Sequence, residues 1–280
     1  MRFMKIFKSL KMLFIATLLA ASLALASCGG GETTSCTVIL HAGGGADGLR
    51  YLNAQETFYT YYDLGYRVFE YDLKLSSDGR LIGTHSGEHL SGFYDGMDYQ
   101  SFLSLSLSNG MTPVNEEWLV NMMMTHPDVT VVVDAKMDDT RGDADVLVRI
   151  EALEEIYGAD FSSNIVPEVF TEEMWNILKE ETTFDRYFFS HYKKWYSNPQ
   201  IKDKFLGEEK IAAVCMGSSG ADYTLGYSKE ILKQGRSVFI FFASDGEVLD
   251  FLSRYTVTGV YVDDPSVLTN GGIAVVKTMG

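Results

Sequence analysis

Short runs of β-branched and aromatic residues alternate with segments of helical period along this chain, and that rhythm restricts its fold more than any other feature. The runs Thr37–Ala42, Arg67–Leu75, Leu81–His85, Val129–Lys136, Ile165–Phe170, Arg186–His191, Ile211–Met216, Val238–Ala243 and Gly259–Asp263 predict strands. Between them, helices are predicted at Ala54–Leu64, Val114–Thr125, Ala144–Tyr157, Glu172–Glu181, Ser228–Gln234 and Glu247–Tyr255. Stretches such as Val131-Val132-Val133 lack polar alternation, as strands covered on both faces do, and so point to a parallel sheet flanked by helices. About eight repeats in about 250 residues suit a closed α/β barrel better than an open sheet.

One repeat is irregular. Only Leu73 to Thr84 separate Asp72 from His85, and Ser76-Ser77-Asp78-Gly79 in the middle is turn chemistry, so no helix fits there. The expected fold is therefore a distorted TIM (β/α)8 barrel, with the distortion between its second and third strands.

The first residues read as an export leader. Arg2, Lys5, Lys8 and Lys11 precede the apolar run Met12 to Ala21, and Leu25-Ala26-Ser27-Cys28 resembles a bacterial lipobox, cut before a cysteine that then carries lipid. Residues 1–27 are expected to be the signal peptide, 28–36 a polar tether and 37–280 one barrel domain. The protein would be an extracytoplasmic lipoprotein anchored to the membrane through Cys28; plain secretory cleavage is the alternative. Acidic side chains number 38 against 23 basic ones, four of which lie in the leader, and a surface so negative repels nucleic acid. Cys36 and Cys215 are expected to be separate thiols, the second buried within Ile211–Met216.

Chemistry-bearing residues gather at strand ends, where α/β barrels place their reactive groups. His41-Ala42-Gly43, Glu70-Tyr71-Asp72, His85 and Asp134-Ala135-Lys136 together supply two imidazoles, three carboxylates and a lysine. Glu70 and Asp72 alternate along one strand and therefore point the same way, as two ligands of one cation must. A hard divalent ion, Mg or Ca, suits such oxygen ligands. The set suggests metal-assisted hydrolysis of a phosphodiester, because a metal and an ammonium stabilise the charge that develops as phosphorus is attacked. Histidines titrate near neutrality, so one accepts a proton while the other donates one.

In order, these patches resemble the glycerophosphodiester phosphodiesterases of the phosphatidylinositol phospholipase C-like barrel superfamily. His41-Ala42-Gly43 stands where that family has His-Arg-Gly, Glu70-Tyr71-Asp72 where it has Glu-x-Asp, and Asp78-Gly79 matches the turn before its second histidine, here His85. Met111-Thr112-Pro113, Asp134-Ala135-Lys136 (for Glu-x-Lys) and the closing Gly259–Pro265 follow. The resemblance implies that Glu70, Asp72 and Asp134 bind the cation, that His41 and His85 are general acid and base, and that Lys136 holds a phosphoryl oxygen. It also implies a first step in which a hydroxyl of the substrate attacks, giving a cyclic phosphate that water opens.

The departures are specific. Ala42 replaces the family's phosphate-binding arginine, and Asp134 is one methylene shorter than the usual glutamate. Pro-Glu-Asn-Thr is reduced to Leu52-Asn53-Ala54-Gln55, Ser86 follows His85 in place of an aspartate, and Gly44 and Gly45 lengthen the first loop. Gly43 to Gly48 lacks the Gly-Lys-Ser/Thr of a phosphate loop and predicts a flexible segment. The lengthened loop Gly44–Tyr51, with Tyr192 and Trp195, is expected to grip a headgroup larger than that of a simple glycerophosphodiester. His191 is expected to line the mouth. Alternatives are a barrel that has lost turnover and binds anionic ligands or glycans, or a sphingomyelinase D-like or phosphoinositide-cleaving relative.

Overall fold

The computed structural model describes residues 35–279 apart from Trp195, residues 219–220 and Ala243. The leader, Cys28 and Trp195 lie outside the described residues. The strands are β1 Ser35–Leu40, β2 Val68–Leu75, β3 Leu81–Gly83, β4 Thr130–Ala135, β5 Ile165–Val169, β6 Tyr187–His191, β7 Ile211–Gly217, β8 Ser237–Phe241, β9 Gly259–Val262 and β10 Ala274–Val276. Parallel pairing runs through β1, β9, β8, β7, β6, β5, β4 and β2, and the Leu40–Phe69 pairing joins β2 back to β1. The ring is closed: an eight-stranded α/β barrel, as the alternating pattern predicts.

The distortion falls where expected. β3 pairs antiparallel with β2, Leu73 opposite Gly83, and stands outside the ring. Its turn is held by Ser76 Oγ, which donates to Asp78 Oδ1 at 2.8 Å. β10 was not predicted, because three residues after the Asn270-Gly271-Gly272 turn carry too little periodic signal; it pairs with the start of β1 outside the ring. The helix Thr140–Tyr157 begins four residues before its predicted start, since the Asp139 carboxylate accepts from Gly142 N at 2.8 Å and caps it. The predicted Ser228–Gln234 is the last part of a helix spanning Ala221–Lys233, and Glu247–Tyr255 shortens to Val248–Leu252 after a 3-10 turn.

Strand alternation divides the core into two layers. Ile39, Val68, Val132, Val166, Phe188, Ala213, Cys215, Phe239 and Tyr261 fill the barrel interior. Their neighbours Val38, Leu40, Phe69, Tyr71, Val131 and Val133 face the helices. Cys36 and Cys215 are both free and buried. A third cluster, including Leu52, Ile82, Leu90, Tyr99 and Phe102, packs the segment after β3 against the start of the helix Gln55–Asp63. The glycine-rich loop after β1 is packed tightly, which corrects the expected flexible segment. A Cβ on Gly43 would meet Tyr71 Cε1 at 2.6 Å and one on Gly44 would meet Tyr61 Cε2 at 2.3 Å, and both have positive φ.

Candidate metal and active site

The interior apolar column gives way to polar residues toward the carboxyl ends of the strands. On β2, Val68, Glu70 and Asp72 share the inner face; on β4, Asp134 pairs with Asp72 in register. Each of the carboxylates of Glu70, Asp72 and Asp134 offers an oxygen within 4.8 Å of the others, and all three residues are buried. The sequence-predicted ligand set therefore converges.

Each member has a defined partner. Glu70 Oε2 accepts from Ala42 N at 2.8 Å, while its Oε1 accepts no hydrogen bond from the described residues. Asn53 brackets Asp72: its Nδ2 donates to Asp72 Oδ2 at 2.9 Å, and its Oδ1 accepts from Asp72 N at 2.9 Å. Lys136 Nζ donates to Asp134 Oδ2 at 2.6 Å and lies 3.2 Å from Asp72 Oδ1 in an ion pair not aligned as a hydrogen bond. Tyr192 Oη donates to Asp134 Oδ1 at 2.7 Å and accepts from Lys136 at 3.1 Å.

The electrostatics are those of a cluster with too few cations. Burial, and then the charges of Asp72 and Asp134, push the Glu70 carboxyl well above its usual range. Burial would also raise Asp72, but the charges of Lys136, His41 and His85 and the Asn53 hydrogen bond hold it below the usual carboxylate range. Burial disfavours the Lys136 ammonium, yet Asp134 and Asp72 keep its pKa above the ordinary lysine value. Three buried carboxylates against one ammonium, with a buried orphan oxygen on Glu70, fit a divalent cation held by oxygen ligands.

The two histidines are oriented alike. His41 Nδ1 lies 3.1 Å from Asp263 Oδ1, and His85 Nδ1 lies 2.9 Å from Glu88 Oε1. A carboxylate only accepts, so each Nδ1 carries the hydrogen and Nε2 is left to exchange protons. Asp263 also accepts from Arg50 Nε through its other oxygen. Burial favours neutral His41, but the Asp263 hydrogen bond and charge outweigh it and raise the imidazole pKa. Glu88 is pulled down to about 2: burial opposes this, while hydrogen bonds from Ser86 and His85 outweigh it.

Sequence reasoning left several site residues without a role. Asp263 closes the last strand run and Asn53 sits in the reduced loop motif, but their partners His41 and Asp72 are distant along the chain. Glu168 on β5 was not singled out. It is 3% exposed, accepts from Tyr261 Oη at 2.6 Å, and burial together with the Asp134 charge pushes its carboxyl up to about 7. A lone acid inside Val166-Pro167-Glu168-Val169 was the available signal, because acids are seldom fully buried. His191 does not line the mouth: its Nε2 accepts from Tyr196 N at 2.8 Å, and it lies on the helix-facing side with Phe189 and Tyr196.

The fold and the cluster define an α/β barrel with an acidic, histidine-flanked mouth and an antiparallel hairpin after its second ring strand. Compared by sequence, the chain matches no family model and no curated protein. Among solved structures it is similar in fold to glycerophosphodiester phosphodiesterases. One from Parabacteroides distasonis is 14% identical, covers 86% of this chain and 97% of its own, and has a TM-score of 0.65. One from Thermotoga maritima is 18% identical over 84% and 97% of the two chains, with a TM-score of 0.60. A Galdieria sulphuraria protein provisionally assigned that activity is 16% identical over 86% and 98%, with a TM-score of 0.68. At these identities the likeness is one of fold.

Proposed function

We propose that this chain is a metal-dependent phosphoric diester hydrolase acting on a glycerophosphodiester or a related lipid-headgroup or cell-envelope phosphodiester. The observation that carries the reading is the convergence of Glu70, Asp72, Asp134 and Lys136 on one point of a barrel mouth, beside two histidines each held at Nδ1 by a carboxylate. The fold shared with structures of glycerophosphodiester phosphodiesterases supports it.

In this reading Glu70, Asp72 and Asp134 hold one magnesium or calcium ion, which when bound supplies positive charge to a phosphoryl oxygen. Lys136, anchored between Asp134 and Asp72, adds an ammonium to the same charge. One of the imidazoles of His41 and His85 removes the proton of the attacking hydroxyl through Nε2, and the other protonates the departing alkoxide. Ala42 offers no guanidinium next to His41, so affinity for small glycerophosphodiesters is modest. Larger headgroups are gripped by the Gly44–Tyr51 loop and Tyr192. We also place the protein outside the cytoplasm as a lipoprotein, on the lipobox ending at Cys28.

A panel of phosphodiesters, from glycerophosphocholine to inositol and sugar diesters, incubated with the full chain in detergent and magnesium or calcium, tests the reading. Hydrolysis is expected to stop on chelation and to fall about a hundredfold or more in His41→Ala and His85→Ala. Wild-type rates in both variants would refute the acid-base roles. Membrane fractionation of Cys28→Ala, which cannot be lipidated, checks the anchor; the variant is expected in the soluble fraction.

A further inference from the structure

Tyr51 stands between the two histidines. Its ring centroid lies 4.7 Å from that of His41, edge-on at 78°, and 4.9 Å from that of His85, tilted at 43°. One partly exposed aromatic ring thus spans the gap between both imidazoles. Arg50 Cζ lies 5.4 Å from the centroid of the same ring.

The backbone that puts the ring there is strained. Tyr51 has φ +55°, a left-handed conformation that an aromatic residue rarely adopts, and Asn53 nearby has φ +47°. The segment is held in this state from both sides. His89 Nε2 donates to Arg50 O at 2.9 Å, while Asn53 N donates to Ala42 O at 2.9 Å and its side chain clasps Asp72. Leu52 is buried between them. Strain that the surroundings enforce collects at functional sites.

We propose that Tyr51 is a positioning residue whose ring sets the tilt and separation of His41 and His85. The inference rests on the reading of those two as the acid-base pair. Held only at Nδ1, which donates to Asp263 in His41 and to Glu88 in His85, with Ser86 Oγ a further 3.2 Å from His85 Nδ1, an imidazole can still rock about that edge. A ring packed against it removes this freedom, and both Nε2 atoms keep the geometry that transfer to and from one phosphodiester requires.

Two substitutions in the full chain test it. Tyr51→Gly removes the ring and accepts the positive φ, so the melting temperature is not expected to fall. Its kcat on glycerophosphocholine, a small diester that does not need the loop's grip, is expected to drop about tenfold or more, with KM within about twofold, because the lost element is orientation in the transition state. Tyr51→Phe keeps the ring and is expected to restore kcat to within about threefold of wild type. By NMR relaxation, the order parameters of the His41 and His85 imidazoles are expected to fall in the glycine variant, as the rings begin to rock, and to hold in the phenylalanine variant. A glycine variant with wild-type kcat and imidazoles as rigid as in wild type, a loss confined to KM, or a phenylalanine variant as impaired as glycine would each overturn the proposal. If the wild-type chain cleaves no diester, the phosphodiesterase reading fails, and the imidazole order parameters alone decide whether Tyr51 positions the pair.

Discussion

Asp263 divides its two oxygens between His41 and Arg50, and this one carboxylate shows how closely the mouth is tied together. Burial would raise the pKa of Asp263, but its bonds to His41 and Arg50 hold it below the ordinary aspartate range; His41 is held above the ordinary imidazole range. A lowered acid stabilises the fold above its ordinary pKa, and a raised base stabilises it below its ordinary pKa. The pair therefore contributes fully between about pH 4 and 6.5, losing strength below as Asp263 protonates and above as His41 deprotonates. Urea unfolding of Asp263→Asn is expected to show a loss of about 1–3 kcal/mol at pH 5 and a smaller one at pH 8, where only Arg50 still needs the charge. An equal loss at both values would show that the histidine pair contributes nothing.

Between β1 and the first helix, the loop does more than connect. Asn53 is fully buried at φ +47°, and its side chain satisfies both the backbone N–H and a carboxylate oxygen of Asp72. Asn53→Ala leaves both groups of Asp72 unpaired and keeps an unfavourable φ, for an expected loss of about 2–4 kcal/mol. Asn53→Gly removes the same bonds and relaxes the backbone, so it is expected to be about 1 kcal/mol more stable than the alanine variant in denaturant midpoints. Equal midpoints would mean that the left-handed conformation carries no cost here. Asparagine tolerates this conformation, and that is a local cue; Tyr51 carries none, so the sequence does not announce the strained aromatic between the histidines. Strand positions were legible for the opposite reason. Glu70, Asp72 and Asp134 sit in apolar runs whose period assigns their faces, whereas Asp263 finds His41 only through ring closure, 222 residues away along the chain. Glu168 was hidden by the same closure, since its partner Tyr261 comes from the far side of the barrel.

At the scale of the molecule, the barrel brings three buried carboxylates together around one lysine. Closing the ring sets Asp134 beside Asp72 in register and buries Glu70 beneath Ala42 N, so the fold itself assembles mutual repulsion. Glu70 answers by favouring its protonated form, through burial first and then the charges of Asp72 and Asp134. A divalent ion held by the cluster would compete with that proton, so its binding should tighten as pH rises. Magnesium or calcium at about a hundred times its dissociation constant is expected to stabilise the fold by about 2.7 kcal/mol, visible as a rise in melting temperature that chelation reverses. Asp134→Asn is expected to abolish that rise, and the rise should be larger at pH 8 than at pH 5. A melting temperature indifferent to both ions, or a response unchanged in Asp134→Asn, would remove Glu70, Asp72 and Asp134 as a metal site.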